Sequence, residues 1–231
     1  MAPRRDELIL DALERLLPDK PLSALDVEQI AVEAGITRTR FYAYYTSKHD
    51  ALAALLRRLV AVRDEAYDES GSWFTDRAPD VRPRDALRAS IEAVTARWWP
   101  HRFVLREACD LWTAVPQVRD AWLETIEVAT TRIEHAILRE RDRGVAPPGL
   151  SARVTAEALA WQAERLHFRA WAQLPDAMTQ SELCEVCLTA YMRQIFAADD
   201  PDPERTSRRG GGGRGIPGLS TNKLGTPSII T

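Results

Sequence analysis

The sequence predicts an all-α fold of about nine helices, in which an N-terminal three-helix unit with a helix-turn-helix precedes a larger C-terminal helical domain. Three observations carry this expectation. Apolar residues recur at helical spacing through successive segments, caps and breakers fall at the ends of those segments, and no segment alternates apolar and polar residues as a half-buried strand would. With 231 residues, 45% hydrophobic side chains and seven tryptophans, the chain carries enough apolar material for a substantial core.

Residues 4–17 place Leu8, Ile9, Ala12, Leu13, Leu16 and Leu17 on a helical face, and Pro18 to Pro21 stops the run. Asp26 stands three residues before Gln29, the spacing of a reciprocal cap, and Val27, Ile30, Ala31 and Ala34 form a short apolar face that Gly35 ends. A third helix follows Thr37, whose hydroxyl suits a free first-turn amide. Ser47 with Asp50 repeats the cap and opens a long helix, with Leu52, Leu55, Leu56, Leu59 and Val62 on one stripe and an expected end near Ser70. Residues 71–83 read as a loop. Four or five further helices are readable, at about 84–99, 101–114, 117–143, 151–173 and 180–196, divided by Pro100, Pro116, the Gly144 to Gly149 cluster and Pro175. The expected division is 1–46 for the helix-turn-helix domain, 47–198 for the second helical domain, and 199–231 for a Gly-, Pro- and Ser-rich tail expected to be disordered.

Composition excludes several classes. Thirty-one basic against 34 acidic side chains give a net charge of −3, so any nucleic-acid contact must be local rather than a broad basic surface. No run approaches the roughly 18 to 20 apolar residues of a membrane span, and the N-terminus lacks the apolar core of a signal peptide, which predicts a cytoplasmic protein. Cys109, Cys184 and Cys187 are too few and oddly numbered for a disulfide framework. Cys184 and Cys187 have no second pair at zinc-finger spacing and read as small core residues, not as metal ligands. His49, His101, His135 and His167 share no nucleophile at a recognised spacing, and His167 reads as a partly buried core residue. The glycine run from Gly210 to Gly213 follows no strand. No catalytic residue, metal or cofactor site is assigned, and the chain is read as a non-enzyme.

The stretch from Gly35 to Asp50 carries the chemistry. From Thr37 to Lys48 there are three basic residues and no acidic one, a local contrast with the acidic chain. Phe41 and Tyr45 share one helix side, and Thr39, Arg40 and Ala43 point the opposite way. A helix so arranged fits a major groove of about 12 Å, where Arg40 can contact a guanine and Thr39 a thymine methyl. Ala43 permits close approach, Tyr42 and Tyr44 can reach phosphates, and Lys48 adds a point charge at the next helix start. The candidate DNA-binding set is therefore Thr37, Arg38, Thr39, Arg40, Tyr42, Tyr44 and Lys48. The other reading is an ordinary surface helix with a solvated arginine pair.

Two readings also stand for the second domain. Trp98, Trp99, Trp112, Trp122, Trp161 and Trp171 either wall a cavity or serve as core. Along the last two helices, Val154, Ala158, Trp161, Phe168, Leu183, Val186, Cys187, Ala190, Tyr191 and Ile195 exceed what one helical pair hides. They pack either inside the monomer or against the same helices of a second copy in a two-fold four-helix interface.

A capped second helix, a turn at Gly35, and T-R-x-x-F-Y-x-Y-Y-x-S-K leading into a long helix resemble the TetR family of transcriptional regulators. Glu140-Arg141-Asp142-Arg143-Gly144, and Glu164-Arg165 followed by Phe168, are similar to its mycobacterial ethionamide-repressor branch. The resemblance covers about residues 4–197. It implies a homodimer, binding to double-stranded DNA at a palindromic operator, and a C-terminal ligand-binding and dimerisation domain for a small, mainly apolar effector. The positions it assigns to the pocket are Leu87, Ile91, Val94, Trp98, Trp122, Ile126, Glu164, Phe168 and Tyr191. Ala163 stands where that branch tends to carry asparagine, which leaves Glu164 as the polar candidate, or as a partner of Arg165. Family members more often carry a small residue or threonine at Arg40 and a bulkier one at Ala43, so the operator sequence does not transfer. The expected function is a ligand-responsive repressor. The alternative is a helical small-molecule-binding or protein-interaction protein without sequence-specific DNA binding.

Overall fold

The computed structural model describes residues 5–67, 71–172 and 175–198, with side chains from 6 to 61 in the first stretch. The expected tail from Asp199, the expected helix end at Ser70 and the Val62 side chain lie outside the described residues and side chains. Nine α-helices and no strand occur among the described residues. They are α1 (Arg5–Leu16), α2 (Val27–Glu33), α3 (Arg38–Tyr42), α4 (Lys48–Tyr67), α5 (Pro83–Trp98), α6 (Arg102–Leu111), α7 (Pro116–Asp142), α8 (Ala152–Trp171) and α9 (Gln180–Tyr191). A 3₁₀ turn at Leu22–Ala24 precedes α2, another at Trp99–His101 joins α5 to α6, and a π turn at Met192–Phe196 continues α9.

Local chemistry sets the N-terminal boundaries. The Asp26 carboxylate accepts the Gln29 amide at 2.8 Å, and the Gln29 side chain accepts the Asp26 amide at 3.1 Å, closing both ends of the cap. Helix α2 ends on Gly35 at φ +67°, with the Ile36 amide on the Ala31 carbonyl at 2.9 Å. A side chain there would meet the left-handed penalty that glycine avoids. Thr37 Oγ1 accepts the Arg40 amide at 3.2 Å, and Ser47 Oγ accepts the Asp50 amide at 3.1 Å. Each expected cap forms.

Packing then orders the layers. Ile9, Leu13, Leu17, Leu22, Ile30, Phe41, Leu52, Leu55 and Leu56 are all fully buried. Helix α4 belongs to both parts of the molecule, since it packs on α1 and also on α5, α6 and α7. Beyond it, α7 packs along α8, α5 along α9, and α6 against α7 and α8.

The segment between α4 and α5 is held by a buried ion pair. Arg77 and Glu140 are both almost fully buried and meet in a two-pronged contact, Nε to Oε1 at 2.9 Å and Nη2 to Oε2 at 2.8 Å. The third arm, Nη1, donates to the carbonyls of Ala78, Pro79 and Val81. Arg139 Nη2 donates to the carbonyls of Trp73 and Phe74 at 3.1 and 2.8 Å, and Arg143 Nη1 to that of Arg77 at 2.9 Å. Thus the Arg139 to Arg143 run is a latch holding residues 73–81 on the end of α7.

Candidate nucleic-acid interface and ligand cavity

The five-residue helix α3 is held from beneath. Phe41 is fully buried, with Tyr42 edge-on at 5.7 Å and the half-buried Tyr45 tilted at 6.0 Å. On its other side Thr37, Arg38, Thr39, Arg40, Tyr42, Ala43 and Tyr44 are exposed. The arginines are not extended alone into water. Arg38 lies over the Tyr42 ring at 5.7 Å and Arg40 over the Tyr44 ring at 5.9 Å, contacts that limit where each guanidinium can swing. The presented face therefore combines two guanidinium groups, two phenols and a small residue.

Lys48 departs from its expected place. Its ammonium donates to the carbonyls of Leu22 at 2.8 Å, Leu25 at 2.7 Å and Ser23 at 3.4 Å. An ammonium has three donors, so this geometry commits Lys48 to the 3₁₀ turn after α1. The same turn is gripped from α6: Glu107, itself buried, accepts the Leu22 amide at 2.9 Å. Arg58 bonds Asp11 at 2.6 Å and Glu14 at 3.1 Å, and His101 contacts Glu14.

A cavity of about 100 Å³ lies among α5 to α9. This is less than the roughly 150 Å³ in which an engineered apolar cavity holds benzene, so it admits a small group as it stands and a larger effector would have to widen it. Seven of the nine expected pocket positions line it, namely Ile91, Val94, Trp98, Trp122, Ile126, Glu164 and Tyr191. Leu87 and Phe168 do not. Leu87 is fully buried in the core one turn before Ile91, and Phe168 lies under the Arg165 guanidinium at 5.2 Å. The tryptophans divide: Trp98, Trp122 and Trp171 wall the cavity, whereas Trp112 and Trp161 pair with each other at 5.8 Å.

Sequence reasoning missed several liners. Phe74 enters from the latched segment, Thr95 and Thr125 lie one residue from expected positions, and His167 and Cys187 complete the polar side; Ala163, singled out in the sequence, also lines the cavity. His167 Nδ1 donates to the Ala163 carbonyl at 2.7 Å, which leaves Nε2 to accept from Thr95 Oγ1 at 3.2 Å; Cys184 in turn donates to Thr95 at 3.6 Å. Burial lowers the His167 pKa, outweighing its bond to Ala163, so the ring is neutral at pH 7. Burial pushes the Cys187 thiol up to about 12, which makes it inert as a nucleophile. Glu164, with a 4% exposed side chain, accepts Cys109 Sγ at 3.3 Å through Oε1. Its pKa is raised, chiefly by burial and against the opposing charge of Arg165. Glu164 thus lines the cavity while Arg165 Nε stands 3.4 Å from its Oε2.

The expected apolar surplus on α8 and α9 divides. Leu183, Cys187, Tyr191 and Ile195 are buried within the single chain, Trp161, Phe168 and Ala190 are half-buried, and Val154, Ala158 and Val186 are exposed. Among the described residues no group of His, Cys, Asp and Glu is placed to hold a metal ion, and no helix is long and apolar enough to cross a membrane.

This arrangement has known counterparts. Residues 9–55 match the bacterial regulatory proteins of the tetR family, and residues 87–197 match the C-terminal domain of the transcriptional regulator EthR. The HTH-type transcriptional regulator EthR of Mycobacterium tuberculosis is 30% identical over 192 residues, covering 83% of this chain and 87% of that protein. Among solved structures, Thermus thermophilus FadR in complex with lauroyl-CoA aligns with a TM-score of 0.61 at 21% identity, covering 90% of this chain and all of that one. A transcriptional regulator from Saccharomonospora viridis in complex with choline aligns at 0.64 and 18% identity, over 85% of this chain and 97% of that one. The exposed, Thr37-capped helix α3 at one end, the aromatic cavity at the other and a relative alike across both establish that this chain belongs to the TetR family of transcriptional regulators.

Proposed function

We propose that this regulator is a ligand-responsive repressor acting in the cytoplasm, and that it binds a palindromic operator as a homodimer and leaves it when a small effector fills the cavity. It performs no catalysis; its output is occupancy of DNA. Arg38, Thr39 and Arg40 face the groove, and Thr37, Tyr42 and Tyr44 position them against the backbone. The division at residue 46 separates reader from sensor in sequence, although helix α4 serves both.

One observation supports the ligand response above others. Helix α6 places Leu105 on the cavity and Glu107, two residues later, on the Leu22 amide at the base of the DNA-binding unit. A ligand that displaces Leu105 therefore bears on the turn that Lys48 and Glu107 hold. If the effector binds only the conformation that mismatches the operator, DNA and effector oppose each other by linkage. The lauroyl-CoA and choline of the two similar structures differ so widely that the fold itself does not select the effector.

Titrating the protein against duplex DNA from its own upstream region at two salt concentrations tests this reading. Steep salt dependence and preference for an inverted repeat are expected. Equal, weak binding to all duplexes would favour a helical binding protein instead.

A further inference from the structure

Resting on the ligand-binding reading, we infer that the cavity selects a cationic effector, an apolar amine whose ammonium group docks on Glu164.

The charge balance of the cavity leads there. Among the described residues that line it, Glu164 is the one acid and none is a lysine or arginine. His167, kept neutral by burial against the opposing effect of its bond to the Ala163 carbonyl, offers no counter-charge. Half of the Glu164 carboxylate is already used by Cys109, but Oε2 is buried with no hydrogen-bond partner. Arg165 Nε is 3.4 Å from it without the alignment of a hydrogen bond, and Arg165 is half exposed, so water screens its charge. A buried carboxylate oxygen left in this state is an acceptor waiting for a donor.

The walls fit the same head group. Phe74, Trp98, Trp122, Trp171 and Tyr191 surround the space with aromatic surface, which attracts an ammonium as well as an alkyl chain. Trp122 Nε1 and Trp171 Nε1 are also buried without partners. These neutral indole donors would receive an oxygen on the ligand, but among the described liners the one formal charge facing the ligand is that of Glu164. An anion would meet that charge uncompensated.

Butylamine, butanol and butanoate share a short chain that suits a cavity of about 100 Å³ and differ in head group. Binding is read by quenching of tryptophan emission at pH 7, and release by loss of the protein–DNA complex. The amine is expected to bind about tenfold or more tighter than the alcohol, and the carboxylate weakest. Glu164→Gln keeps an oxygen for Cys109 and should bring amine and alcohol to about equal affinity, with butanol still quenching the emission, which shows that the cavity is intact. An amine no tighter than the alcohol, a carboxylate that binds best, or an unchanged amine preference in Glu164→Gln would each overturn the head-group inference and leave the ligand-binding reading standing. If none of the three changes emission or DNA occupancy, the ligand-binding reading itself falls.

Discussion

The Glu107 carboxylate accepts the Leu22 backbone amide at 2.9 Å across 85 residues of sequence, so a side chain of a cavity helix completes a turn of the DNA-binding unit. Removing it leaves a buried amide without an acceptor. Glu107→Ala should destabilise the chain by about 1 to 3 kcal/mol in urea unfolding. In the same variant an effector should displace DNA less completely, because the link between α6 and the turn is cut. Unchanged displacement would show that the signal passes elsewhere, through α4.

Lys48 binds the same turn from the other side. Lys48→Met keeps the aliphatic stem and removes three donors from the carbonyls of Leu22, Ser23 and Leu25. Stability should fall by about 1 to 3 kcal/mol. The slope of log affinity against log salt should stay within experimental error of the wild type. A slope reduced by about one would instead mark Lys48 as a phosphate contact.

Breaking the Arg77 to Glu140 pair should be among the costliest single changes. Arg77→Met strands a buried carboxylate and frees the segment that carries Phe74 into the cavity. A loss of about 3 to 5 kcal/mol is expected. A thermal unfolding comparison measures it, and a change below about 1 kcal/mol would mean that Glu140 finds other donors.

His167 makes a pH-dependent contribution. Its folded pKa lies below its ordinary value of 6.5, so the unfolded chain takes up the proton first as the pH falls. Stability from this group is complete above pH 6.5 and declines below it, toward the folded pKa. Glu164 titrates in the opposite sense: its folded pKa is above 4.5, so its term falls as pH rises from that value. The difference between wild type and His167→Phe isolates the histidine. That difference should shift in favour of the variant as pH drops from 7 to 5, and a constant difference would contradict a buried neutral ring.

Legibility in the sequence followed distance along the chain. The caps at Asp26, Thr37 and Ser47 and the turn at Gly35 are decided within three or four residues, and each was readable. A Thr179 to Glu182 reciprocal cap at the start of α9 carried the same signal and was missed. Cavity membership is tertiary. Leu87 and Ile91 share one helix face about 6 Å apart along the axis, so Leu87 can sit in solid core one turn before the cavity that Ile91 lines, and spacing alone does not say where along a face the interior is hollow. Phe74 reached the cavity because Arg139 and the Arg77 latch hold its segment, a relation among residues 65 or so apart. For Lys48, sequence gave the charge but not the carbonyls that occupy it.

Selection of bound sites from a random duplex pool, run with wild type and Arg40→Ala, tests the central claim most directly. The wild type should enrich an inverted repeat with half-site centres about one duplex turn, or a whole multiple, apart. Arg40→Ala should lose about 1 to 3 kcal/mol on that site and relax preference at one base pair in each half. Enrichment of no repeat, or an unchanged repeat and affinity in Arg40→Ala, would contradict an operator-binding dimer that reads DNA through α3.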